Sequence, residues 1–197
     1  TDLTARFHLR QAESTAAGLM EFAEATDAGA IVVGGARTGG WLFHSIGAAG
    51  NALLHRSRTP VILAPRNFAS DTDIEQIDCA VSPEIDSISL VEEAIATANR
   101  TGLKVRLVSL IEGADSAAAA SEAEAGVREL IKQSSVALEK PELLSVTVGH
   151  GATVPDAVQS VHWSPQSVLM AGSSKLSQRG ELFLSSNTAK ILTHLPI

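Results

Sequence analysis

Glycines follow a short apolar run near the start of the chain, where they could hold a phosphate group. The run spans 30–33, and the glycines after it are Gly34, Gly35, Gly39 and Gly40. Backbone amides in a glycine-rich turn can approach an anion closely, because no Cβ stands in the way. The alternative is an ordinary turn after a buried strand, in which the glycines only give the backbone conformational freedom. Trp41 follows Gly40, so the loop lacks the Lys-Ser/Thr pair of a Walker loop.

A second copy of this pattern occurs 138 residues later (172 − 34). Residues 31–37 match 169–175 position by position, so that Gly34 corresponds to Gly172. Each copy then runs through polar and apolar residues to a helix start with small side chains, at Gly47 in the first and at Ser186 in the second. A spacing of this size indicates a duplicated domain rather than a solenoid repeat.

Both copies carry a cation three residues after the first glycine, Arg37 in one and Lys175 in the other. One hypothesis is that each cation neutralises a phosphate or another anion at a helix terminus. The rival hypothesis is that the long side chain fills the pocket and excludes a ligand, or lies solvated on the surface. Binding measurements on Arg37→Gly would separate the two.

The elements that would position these loops alternate between strands and helices. The predicted strands are 6–10, 30–33, 61–63, 77–81, 105–110, 144–148 and 168–171. The predicted helices are one capped by Thr15, 47–56, 87–100, 116 to about 140, one opened by Gly151 and Pro155, and 186–193. This alternation indicates right-handed βαβ crossovers and a parallel, doubly wound α/β sheet. The wholly apolar run 30–33 is typical of a strand buried on both faces.

The position of the repeat sets the expected domains. Residues 1–66 are predicted to be the C-terminal half of a first module, 67–75 a linker, and 76–197 a second module that lacks its last strand. The chain begins with Thr1 rather than Met, and we expect the start of the natural protein to precede it. Unpaired strand groups are costly to bury. The first half-module therefore needs completion by further residues of the same chain or by another chain.

Composition and motifs exclude several classes of function. The net charge is −7 and no cluster of Lys and Arg is longer than 56–58, which argues against a nucleic-acid partner. Cys79 is the only cysteine, so no internal disulfide forms, and we expect a buried thiol and a cytoplasmic protein. No apolar run is long enough for a membrane span. The histidines lack metal-ligand spacing and no catalytic serine motif is present, so we predict no metal site, no catalytic residues and no enzyme.

The segment 31–63 resembles the universal stress protein family: a strand, a glycine turn, a helix that starts with a small residue, and a proline-led final strand. Gly34 and Gly47 match the family pattern in the first copy, and Gly172 and Ser186 match it in the second. Arg37 and Lys175 stand where the family has glycine, and Ser82 stands where it has an acidic residue that holds the ribose. The order of elements resembles a tandem member whose first module is truncated.

The resemblance implies a flavodoxin-like or Rossmann-like sheet of strand order 3-2-1-4-5 that binds ATP at the carboxyl ends of its strands. It also implies a role in stress-response signalling, and pairing of modules or of two chains through the last strand, 61–63 in the first copy. Each copy keeps about half of the motif, which is the pattern of a degenerate nucleotide site. The alternatives are a scaffold that acts only through protein contacts and, more remotely, a nucleotide-hydrolysing enzyme.

Overall fold

The computed structural model describes residues 4–34, 47–64, 73–82, 87–113, 117–172 and 191–192. The described residues belong to two compact units, one that ends at 64 and one that starts at 73. Among the described helices, none is both long enough and apolar enough to cross a membrane.

The described part of the first unit contains two helices and two strands: α1 Thr15–Ala25, β1 Ile31–Gly34, α2 Gly47–Arg56 and β2 Val61–Ala64. The two strands are parallel, and Val32 lies opposite Ile62. Ile31 of β1 and Leu53 of α2 are buried together with alanines of α1. The repeating apolar positions of the two helices therefore cover one face of this small sheet.

The other face of the same sheet is open, which differs from the expectation that 30–33 is buried on both sides. Val32 is 63% exposed and Ile62 is 47% exposed. Successive side chains of a strand point to opposite faces. Ile31 therefore faces the helices, while Val32 faces solvent.

The predicted strand at 6–10 is wrong. These residues form no strand in the structure, and Phe7 and Leu9 are almost fully exposed. The alternation of polar and apolar residues in 6–10 is typical of a strand. A strand forms, however, only where a neighbouring strand pairs with its backbone N–H and C=O groups. His8 instead lies against the ring of Phe22 in α1, with 4.9 Å between the ring centroids. The cap of α1 is Ser14 rather than Thr15, since the Ser14 side chain accepts from the amide of Ala17 at 3.1 Å.

The second unit follows a regular βα order. Its elements are β3 Gln76–Ala80, α3 Ile88–Thr101, β4 Lys104–Glu112, α4 Ala117–Gln133, a 3-10 turn at Pro141–Leu143, β5 Leu144–Gly151, α5 Val154–Ser160 and β6 Ser167–Ala171. All neighbouring strands are parallel, in the order β5-β4-β3-β6. Numbered within the unit this is 3-2-1-4, the expected order for these four strands.

Helices cover both faces of this larger sheet. One core joins α3 and α4 to the sheet around Val91, Cys79 and Leu107, all fully buried. A second core joins α5 and Ile191 to the opposite face around Val108. Parallel sheets are normally covered in this way, so the alternating βα sequence pattern correctly predicts the α/β class.

Helix α4 ends at Gln133, well before the predicted end near 140. The segment after it is held by polar side chains of α3 instead. Glu92 accepts hydrogen bonds from the amide of Ser135 at 2.8 Å and from its hydroxyl at 2.6 Å. Asn99 donates to the carbonyl of Ala137 at 2.9 Å and accepts from the amide of Glu139 at 3.0 Å. Tertiary contacts therefore override the local helical preference of this stretch.

Candidate functional site

The second unit has a topological switch point between β3 and β6. From β3 the chain crosses through α3 to β4 on one side, whereas β6 pairs with the other side of β3. Where strand order reverses in this way, the connections diverge and leave a crevice at the carboxyl ends of the strands. Ala80 and Ala171 are paired at that edge. Gly172 follows Ala171 directly and Ser82 lies two residues after Ala80, so the fold brings these two predicted positions to the same edge of the sheet, at the switch point.

The backbone at Ser82 is fixed by a residue that the sequence pattern did not single out. Ser87 is a buried residue just before α3. Its hydroxyl accepts from the amide of Ser82 at 3.3 Å and donates to the carbonyl of Ser82 at 3.1 Å. Serine before a helix usually caps that helix, but here it makes no capping hydrogen bond. Ser87 therefore orders the turn at the crevice.

Gly172 is a glycine that the described part of the chain does not require for its own packing. A Cβ placed there would meet only Leu90, at 3.5 Å, an ordinary van der Waals distance. Its φ is not in the left-handed region, so the backbone conformation does not demand glycine either. What the glycine provides is an uncovered backbone at the strand end, which suits close approach by a ligand.

The first unit repeats part of this arrangement. Gly34 ends β1, and nothing described lies within 4 Å of a Cβ built on it. Gly47 begins α2 with a φ of 67°, in the left-handed region that favours glycine. In a βαβ unit the strand's carboxyl end and the next helix's amino end share one edge of the sheet. The orphan amides of that helix end attract anions.

The remaining predicted site residues, Arg37, Lys175 and Ser186, lie outside the described residues, as does most of each glycine loop. Their assignment to a ligand stays a prediction.

Two chemically reactive side chains of β3, Asp78 and Cys79, are shielded from solvent. Burial, reinforced by the charge of Asp78, raises the pKa of the Cys79 thiol to about 12, so the thiol stays protonated. The Asp78 carboxylate is itself paired with Arg106 at 2.7 Å. Among the described residues, no group of His, Cys, Asp and Glu is arranged to hold a metal ion. At the carboxyl edge of this sheet, Glu112 and His150 lie near the ends of β4 and β5. The switch point itself carries the Ser82 hydroxyl and the Gly172 backbone, groups of the kind that hold an anion or a sugar.

A surface groove of about 580 Å³ lies elsewhere, between the segment at 6–12 and α1 of the first unit. Its lining includes Arg6, Arg10 and Phe22. Its lining residues lie in 6–22, before β1, so this groove is separate from the carboxyl edge of either described sheet.

Comparison with known proteins gives curated relatives but no matching family model. The relatives include the universal stress proteins Rv2319c of Mycobacterium tuberculosis (strain ATCC 25618 / H37Rv) and Mb2346c of Mycobacterium bovis (strain ATCC BAA-935 / AF2122/97). The universal stress protein MT2382 of Mycobacterium tuberculosis (strain CDC 1551 / Oshkosh) matches equally well. Each is 26% identical over 205 residues, covering 97% of this chain and 70% of the relative.

Proposed function

Because the chain belongs to the universal stress protein family, we propose that it is a stress-response regulator that binds ATP or a similar nucleotide at the carboxyl edge of its sheets. The observation that carries this proposal is the switch point between β3 and β6. Gly172 comes directly after β6, and Ser82 comes two residues after the end of β3, the strand that pairs with β6. A crevice at this place in a doubly wound sheet is where such folds hold their ligands.

In the proposed complex, backbone amides hold the phosphates. Gly172 would present its backbone amide in the second unit, and Ser186 would supply a hydroxyl at the start of the last helix. In the first unit, Gly34 and the amino end of α2 at Gly47 offer the equivalent groups. We assign Arg37 and Lys175 to phosphate neutralisation, because a cation beside a helix amino end strengthens anion binding. The ribose would lie at the turn at Ser82, where a hydroxyl stands in place of the family's carboxylate.

We further propose regulation by binding rather than catalysis. A nucleotide-hydrolysing site needs a base that can take a proton from water. The buried Cys79 stays protonated and the buried Asp78 is neutralised by Arg106, so neither of these two groups serves as that base. Ligand binding to the folded state would instead stabilise one arrangement of the crevice, and a partner protein would recognise that arrangement.

Thermal unfolding of the full chain with and without ATP tests nucleotide binding. A ligand at 100 times its Kd adds about 2.7 kcal/mol to the free energy of unfolding. We expect ATP to raise the Tm of the wild type. The rise should be smaller in Arg37→Gly and in Lys175→Gly. A larger rise in Arg37→Gly would mean that the arginine blocks its site. If the Tm of the wild type does not rise at saturating ATP, the proposal that the protein binds ATP is refuted.

The open face and edge of the first unit support a second candidate, a scaffold that acts through protein contacts. In the described part of the chain β2 pairs only with β1, and Ile62 is nearly half exposed. An apolar edge strand favours pairing with another strand. We propose that β2 pairs with a second copy of the chain. Light scattering should show a dimer that Ile62→Asp dissociates; an unchanged mass in that variant would rule out this contact.

A further inference from the structure

The connection from β5 to β6 passes over more strands than any other connection between the described strands of the second unit. Because the strand order is β5-β4-β3-β6, α5 and the linker 161–166 must pass over both β4 and β3 before β6 begins. This crossing creates the switch point, since it places β6 on the far side of β3. Two features therefore set the position of Gly172: the pairing of β6 with β3, and the hold on the linker that leads into β6.

One side chain of β4 holds that linker. Arg106 donates to the carbonyl of His162 at 2.8 Å, and its guanidinium carbon lies 5.5 Å from the ring centroid of Trp163. Trp163 in turn donates from its indole nitrogen to the carbonyl of Val158 at 2.7 Å. The guanidinium thus contacts two consecutive residues of the linker, and the second of them is tied to the end of α5.

The same guanidinium is anchored to β3. Its Nε and Nη2 donate to the two carboxylate oxygens of Asp78 at 2.7 and 2.9 Å. Asp78 is fully buried and also accepts from the side-chain amide of Gln76 at 2.7 Å. Asp78 and Arg106 are opposite each other in the β3–β4 register. Arg106 therefore joins three segments: β3, β4 and the linker.

The Asp78–Arg106 pair contributes more to the position of the linker than to the stability of the fold. A buried ion pair gains little over apolar residues of the same size, because both charges lose their hydration. The planar guanidinium fork, however, fixes direction, since each N–H must point at its own acceptor. The neighbouring side chains on this face, such as Ala80, Val108 and Leu110, are apolar. Apolar contacts alone would tolerate small displacements of the linker.

We propose that Arg106 is a positioning residue that clamps the β5–β6 crossover to β3 and β4, and thereby sets the place of β6 and Gly172 at the crevice. The consequence for a ligand rests on the proposed nucleotide function. The clamp itself does not, so the two can fail separately.

Hydrogen exchange of the full chain without nucleotide tests the clamp. Arg106→Met removes the guanidinium but leaves Asp78 uncompensated. Asp78→Leu/Arg106→Met removes both charges, so global stability is largely regained while the hydrogen bond to His162 stays lost. In both variants we expect amides of 161–171 to exchange about tenfold faster or more, with β5 amides close to the wild-type rates. Arg128→Met is the control, because Arg128 pairs only with Glu124 on the surface of α4 among the described contacts.

The double variant decides the outcome even if Arg106→Met does not fold. Wild-type exchange at 161–171 in the double variant would overturn the proposal, as would acceleration spread evenly over β3, β4, β5 and β6. ATP titration then follows on the same proteins. If wild type binds ATP, the double variant should bind it at least several-fold more weakly. If wild type does not bind, the nucleotide function fails, while the exchange pattern still decides the clamp.

Discussion

Ser87 contacts both polar backbone groups of Ser82. Its hydroxyl accepts from the Ser82 amide at 3.3 Å and donates to the Ser82 carbonyl at 3.1 Å. Replacement by alanine removes both hydrogen bonds at the end of the central strand. We expect Ser87→Ala to lower the free energy of unfolding by about 1–2 kcal/mol in urea titrations. We also expect weaker ATP binding, because the turn at Ser82 loses these two hydrogen bonds. Unchanged stability and affinity would show that the turn is held by other contacts.

The same substitution should affect stability strongly at Gly149 and hardly at all at Gly172. A Cβ on Gly172 has room, whereas a Cβ on Gly149 would come within 2.6 Å of the Ala157 carbonyl oxygen in α5. We expect Gly149→Ala to lower the free energy of unfolding by about 1–3 kcal/mol, since the helix must move away. Gly172→Ala should change it by less than about 0.5 kcal/mol. Urea unfolding of both variants checks this, and equal losses would contradict the packing described for the crevice.

The Cys79 thiol should be inert in the folded protein. Burial raises its pKa from 9.0 to about 12, and the thiolate is the reactive form. Modification by a thiol reagent at pH 8 should therefore follow global unfolding and should accelerate with urea. The raised pKa also contributes stability that is complete below pH 9 and is lost as the pH rises toward 12, because the unfolded chain ionises first. Rapid labelling without denaturant would show that the thiol is accessible.

Glu92 should make the free energy of unfolding depend on pH in the acidic range. Its hydrogen bonds from Ser135 lower the pKa of the carboxyl below 4.5. A lowered folded-state pKa gives stability that is present above 4.5 and is lost as the pH falls through the folded value. The urea midpoint should fall between pH 5 and 3 in wild type, and less steeply in Glu92→Gln. Glu93→Gln is the control, since Glu93 is exposed and its ion pair with Arg100 is long, at 3.9 Å. Parallel slopes in all three proteins would exclude this role.

The sequence predicts the second unit well because its strands are short apolar runs separated by amphipathic helices. The strands β3 and β6 fall within one residue of their predicted limits. The end of α4 is not predictable in this way, because Glu92 and Asn99 reach it from a distant part of the chain. The strand expected at 6–10 fails for a related reason, since its alternating pattern carries no information about whether a neighbouring strand exists.

The site is less accessible to sequence reasoning than the fold. Gly34, Gly47 and Gly172 stand out because glycine after a strand or at a helix start has few local explanations. Ser87 does not stand out, because its partner is a backbone turn and not a motif. The pair of Asp78 and Arg106 is invisible in sequence, because 28 residues separate them and only the strand register aligns them.

Calorimetric titration of ATP into wild type and Gly172→Ala tests the nucleotide crevice most directly. The added methyl group fits the fold but covers the backbone at the strand end, so we predict ATP binding to wild type and a loss of at least about tenfold in affinity in the variant, equal to about 1.4 kcal/mol. Binding of equal affinity in both proteins would place the nucleotide elsewhere. No heat of binding in wild type at any accessible concentration would contradict the account.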